Sequence, residues 1–124
     1  MASTLFSQGV TIASTWLNDV NTFVYGRGIN AQTGTAYTTV ANDANRKITT
    51  NNAAANTVTI QAGLYQIENI ISVIQLGAGQ TTIVAGAGVT LRSSTSTFAT
   101  RTQYSMVTAI CIDVNTWLLV GDLA

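Results

Sequence analysis

The chain contains no histidine and a single cysteine, Cys111. No Cys/His zinc site can be built from that inventory, and no disulfide can close within the chain. A histidine-activated serine is excluded for the same reason. Charge is also scarce: charged residues make up 8% of the 124, against roughly 25% in an ordinary soluble domain. Five basic side chains balance five acidic ones, so the net charge is zero and no strong field steers a partner. Nucleic acid and anionic membrane surfaces are therefore not expected as partners. No apolar stretch reaches the roughly 18 residues that a membrane helix needs. Met1-Ala2-Ser3-Thr4-Leu5-Phe6 has neither a basic n-region nor a long apolar core, and is not expected to be a secretory leader.

What remains is a chain of one-domain length whose hydrophobic fraction, 47%, is ordinary. Thr, Asn, Gln, Ser and Ala take the place of charge. A lone, neutral, weakly charged monomer tends to associate, so much of this surface is expected to be covered in the working state. That favours a subunit of an assembly over a free catalyst. Cys111 lies in the apolar run Val107 to Ile112 and reads as a small buried hydrophobe.

Two regions differ in pattern. Residues 1–30 read as an N-terminal arm and helix, and residues 31–124 as a β-domain. In the first, Ser14 or Thr15 can cap a helix and Asp19 sits near its positive end. Trp16, Leu17, Val20, Phe23 and Val24 then fall on one face of a 3.6-residue period, and Gly26-Arg27-Gly28 stops the run. The helix is short and amphipathic, so it needs packing to persist.

From Tyr37 onward short β-branched runs alternate with turn residues. Strands are expected at Tyr37–Val40, Lys47–Thr50, Thr57–Gln61, Ile70–Leu76, Thr81–Ala85, Val89–Arg92, Gln103–Asp113 and Thr116–Gly121. Breaks fall at Ala41-Asn42-Asp43-Ala44-Asn45, Asn51-Asn52, Gly77-Ala78-Gly79 and Gly86-Ala87-Gly88. Asp113-Val114-Asn115 reads as a tight hairpin. The two Gly-Ala-Gly segments read as paired turns around one strand, not as a solenoid repeat. The fold class expected is mainly β, a small antiparallel sandwich or barrel with one short N-terminal amphipathic helix.

Catalytic motifs are weak. Gly77-Ala78-Gly79-Gln80-Thr81-Thr82 lacks the third glycine of a dinucleotide fingerprint and runs into a strand, so it reads as a turn. Neither G-K-[ST] nor G-x-S-x-G occurs. Among the acids, Asp19 lies on the helix and Asp43 and Asp113 in turns, leaving Glu68 and Asp122 unplaced. A Ser–Lys pair using Lys47 stays open, without local support. Tyr37, Tyr65, Tyr104 and Trp117 lie in or beside strands, where a ring is core more often than a sugar platform. No enzyme, cofactor or metal is expected.

Three stretches carry a resemblance. Val10-Thr11-Ile12-Ala13-Ser14-Thr15-Trp16-Leu17-Asn18-Asp19-Val20-Asn21-Thr22-Phe23-Val24-Tyr25 resembles the leading segment of short-tailed bacteriophage tail fibre and tailspike proteins, near the end that attaches to the virion. Asn51 to Ile60, and Ile71 to Ser93 with Trp117-Leu118-Leu119-Val120-Gly121-Asp122, are similar to a β-rich module recurring in phage tail proteins. The resemblance covers most of the chain, but a long shaft and a receptor-binding tip are missing. It implies a virion structural protein, tail-associated in preference to capsid surface, that assembles with itself as a homotrimer and docks on other virion proteins. Trp16, Leu17, Val20, Phe23 and Tyr25 are the docking residues expected. A capsid decoration protein is the alternative, and a glycan-binding module a distant third.

Overall fold

The computed structural model describes residues 28–124. The expected helix and its five docking residues lie outside the described residues. The rest is mainly β, as the pattern of β-branched runs requires. Nine strands form two sheets: β1 (Asn30–Gln32), β2 (Ala36–Thr38), β3 (Arg46–Thr50), β4 (Asn56–Ile60), β5 (Ile70–Gln75), β6 (Thr81–Ala85), β7 (Thr90–Arg92), β8 (Met106–Asp113) and β9 (Thr116–Gly121). A 3-10 turn, Ala41–Asp43, leads into β3.

The six-stranded sheet runs β1-β3-β5-β8-β9-β7 and the three-stranded sheet β2-β4-β6. The chain therefore alternates between sheets from β1 to β6, and strands within each sheet stack in parallel. It winds as a flattened coil, each turn giving one strand to either sheet. The β8–β9 hairpin then enters antiparallel beside β5, and β7 closes the sheet in parallel with β9. The expected antiparallel pairing thus holds for β5, β8 and β9, while the remaining ladders are parallel and the sheets mixed. The physical reason lies in the connections. Thr33–Thr35, Asn51–Ala55 and Leu76–Gln80 turn a corner into the facing sheet in place of folding back as hairpins.

These corners stack on one another. Asn51 N–H donates to the Gln32 carbonyl (2.9 Å), Leu76 N–H to Thr50 (2.7 Å), and Gly79 N–H to Asn52 (2.8 Å). The approach is so close that a Cβ on Gly77 would strike the Asn52 backbone, and one on Gly79 the Ala54 carbonyl. The two Gly-Ala-Gly segments do bracket β6 as turns. Gly77, Gly79 and Gly86 permit close contact with the previous turn of the coil, whereas Gly88 takes a left-handed φ of 83°.

Side chains alternate across each strand, and one set fills the space between the sheets. Ile48, Val73 and Val107 align across the larger sheet, as do Ile71, Ala109 and Leu119. They meet Val58, Ile60 and Ile83 of the smaller one in a single core. Trp117 is buried and its ring meets Tyr65 edge-on, 5.2 Å between centroids at 86°. Such a pair adds about 1 kcal/mol beyond the area it buries. Cys111 is buried as expected, and burial pushes its thiol pKa up.

Candidate docking face

The chemistry-bearing residues singled out in the sequence scatter. Asp43 is fully buried in the first turn of the coil. Its carboxylate accepts from the Tyr37 hydroxyl (2.6 Å), Asn30 Nδ2 (2.9 Å) and Val40 N–H (2.9 Å). Arg46 lies 3.9 Å away. A buried carboxylate with three donors is a structural hub, and its lone pairs are occupied. The partner feels it: burial first, then donation to Asp43, raises the Tyr37 pKa to about 12.

Asp122 is engaged by the Arg101 guanidinium through two bonds (2.7 and 3.0 Å) and by the Ser105 hydroxyl (2.7 Å). Arg101 foremost, then Ser105, lowers its pKa. Glu68 sits in the loop before β5 with φ at 81°. Lys47 is in register with Ser72, whose hydroxyl is 3.3 Å from that of Thr108. Both lie on an open sheet surface, whereas a Ser–Lys nucleophile needs a desolvated amine. Among the described residues no cluster of three acids or cysteines suits a metal ion. Of the four aromatic candidates, Trp117, Tyr65 and Tyr37 pack on or into the core. Tyr104 alone stands out, 73% exposed.

A second polar cluster, missed in the sequence, occupies the corner between the sheets. The Thr50 and Thr81 hydroxyls are 2.6 Å apart, and Thr81 donates onward to Asn56 Oδ1 (2.6 Å). Thr100 donates to Gln75 Oε1 and accepts from Thr81 N–H (3.0 Å). A hydroxyl has one proton, so with Thr81 committed to Asn56 it is Thr50 that donates to Thr81. No buried side-chain nitrogen or oxygen among the described residues lacks a partner. This network is internal and satisfied, which makes it a device for holding the corner.

The feature without an internal explanation is the outer face of the large sheet. On β5, β8 and β9 the strand positions that point away from the core are aliphatic or hydroxyl-bearing. One row runs Ile70, Ile110 and Leu118 across β5, β8 and β9. The next runs Ser72, Thr108 and Val120, and a third pairs Ile74 with Met106. Ile112 continues beyond the first row, 45% exposed; Met106 is 44% and Val120 42%. Lys47 on β3 continues the second row and Arg92 on edge strand β7 continues the first, and no charged side chain lies between them in these rows. Two depressions open on this face. One, about 180 Å³, is lined by Lys47, Ile70 and Ser72 among others; the other, about 250 Å³, by Ser94, Thr95, Leu118 and Val120 among others.

Such a face departs from the solvated side of a two-layer sheet, which alternates apolar-in with polar-out. A sequence signal for it existed. Ile70-Ile71 and Val73-Ile74, and the unbroken Ala109-Ile110-Cys111-Ile112, are apolar on both sides of the pleat. That pattern belongs to strands covered on both faces.

Tyr104 borders the face at its Met106 end. Its φ of 69° is unfavourable for a bulky side chain, yet the turn holds it there. Tyr104 N–H donates to the Gln75 carbonyl (2.6 Å), and Ser105 N–H to Thr102 (3.1 Å).

No protein-family model matches this chain, and no curated protein matches it.

Proposed function

We propose that the chain is a structural subunit of a bacteriophage particle, a tail-associated fibre or adaptor protein that works by docking and self-assembly. The observation that carries the docking part is the uncharged aliphatic face of the large sheet. A run of exposed apolar side chains on one face, Ile70, Met106, Ile112 and Val120 among them, supports an interaction site. The particle itself comes from the resemblance of residues 10–25, 51–60 and 71–93 to phage tail proteins. Within this reading Trp16, Leu17, Val20, Phe23 and Tyr25 attach the subunit to another virion protein, because large apolar and aromatic groups dominate interface energy. The β-domain associates with further copies, three around a common axis by the same resemblance.

Replacing Trp16 and Phe23 together by alanine tests the attachment. The variant should keep the thermal transition of the β-domain and disappear from purified particles. Incorporation at the wild-type level, or a melt showing that the β-domain has unfolded, would sink the attachment role.

A further inference from the structure

We propose that residues 28–45, the first turn of the coil, form a strap that opens separately from the rest of the fold and is held shut by the Asp43 carboxylate. The strap carries β1, β2 and the 3-10 turn, and it covers the edges of β3 and β4.

Packing gives this turn little hold. Its two strands are three residues each, and every residue in them is exposed or half-buried. Ile29 and Val40 stand 58% and 50% exposed, and the buried apolar core begins only at Ile48. Tyr37 is the one side chain of the turn that packs against that core. Thr39 and Asp43 are its only fully buried residues, and both are polar. Ordering each residue costs chain entropy, and here no buried aliphatic side chain offsets it.

One carboxylate gathers the turn. Asp43 accepts from Asn30 on β1, from Tyr37 on β2 and from Val40 N–H at the start of the 3-10 turn. Asn30 also donates to the Tyr37 oxygen (2.8 Å) and accepts from Gln32 Nε2 (2.7 Å), so both strands are tied through the same point. From β3, Arg46 brings its guanidinium to the carboxylate and donates from Nε to the Gly28 carbonyl (3.1 Å). Hydrogen bonds to a carboxylate are the strong kind, and removing its charge weakens three of them at once.

The turn lies on the next one through ladder bonds. Asn51 N–H donates to Gln32 (2.9 Å), Thr57 N–H to Thr35 (3.0 Å) and Thr39 N–H to Thr59 (2.9 Å). Opening breaks these together and bares Ile48–Thr50 of β3 and Thr57–Thr59 of β4. An uncovered strand edge is a template for another strand, so the strap controls when these edges can pair.

Native-state hydrogen exchange on the full chain, read amide by amide across low denaturant concentrations, tests this. In the wild type the amides of Thr39, Asn51 and Thr57 should exchange through one shared opening, about tenfold or more easily than those of Gln75, Ile83 and Cys111. The latter bond to Ser105, Phe98 and Asn69 in the body of the fold. Asp43→Asn keeps the shape of the side chain and turns an acceptor into a donor. It should speed exchange of the first group about tenfold or more and leave the second unchanged. Equal protection of the two groups in the wild type would make the turn part of one cooperative unit and overturn the proposal. So would an Asp43→Asn variant that speeds both groups alike, unfolds outright, or changes neither.

Discussion

The polar corner and the outer face of the large sheet invert the usual arrangement. Amides and hydroxyls of Asn56, Gln75, Thr81 and Thr100 are buried, while Met106, Ile112 and Val120 stand in solvent. The corner is stable because every polar atom finds a partner, so little desolvation cost remains. The outer face has no comparable answer inside the described residues. A polar group inside asks only for hydrogen bonds, whereas an aliphatic group outside asks for another surface. The first need is met among the described residues and the second points beyond them.

That comparison can be broken from either side, and the largest effect should come from the inner face. Trp117→Ala removes the ring that Tyr65 packs against and should cost about 3–5 kcal/mol, read from denaturant unfolding. Thr81→Val keeps the shape of the corner but strands Asn56 and Thr50 without their partner. A loss of about 1–3 kcal/mol is expected by the same assay, and an unchanged midpoint would show the corner to be dispensable.

The hub at Asp43 gives a pH signature. The Tyr37 pKa is raised in the fold, so its contribution is complete below the ordinary tyrosine pKa near 10 and is lost as pH rises towards about 12. Alkaline unfolding should therefore begin in that window, and Tyr37→Phe should remove this dependence. At acid pH the sign reverses for Asp122, whose pKa is lowered by Arg101. Its contribution is present above the ordinary carboxylate pKa and lost as pH falls through the lowered one. Arg101→Gln should flatten that acid limb of the melting curve.

The smallest effect should come from the outer face. Val120→Thr should change the stability of the isolated subunit by no more than about 0.5 kcal/mol, since its side chain stands 42% exposed on that face. A loss as large as that at Thr81 would make the face part of the core and erase the contrast.

The strands were readable because β-branched residues alternate with turn residues, and Thr81–Ala85 and Thr116–Gly121 match their expected bounds. So was the Asp113-Val114-Asn115 hairpin, where Asn115 takes the left-handed conformation that asparagine tolerates. Strand β1 was not readable. Asn30-Ala31-Gln32 has no β propensity and is ordered by pairing with Ile48–Thr50. Nor was the coil, since corner turns and hairpin turns draw on the same Asn and Gly residues. Successive turns also differ in length, with Asn30, Ile48 and Val73 stacked at unequal spacing, so no fixed repeat marks them. The polar corner was hidden because it gathers threonines and amides from distant strands. The outer face was written in the two-sided apolar runs of β5 and β8, and only the pairing shows which side is outside.

The most direct test of the proposed phage structural-subunit role is the copy number of this chain in purified phage particles, measured against the major capsid protein. The account predicts a few to a few tens of copies, as a tail fibre or adaptor requires. Hundreds would place it on the capsid surface as a decoration protein, and finding none would contradict the account altogether.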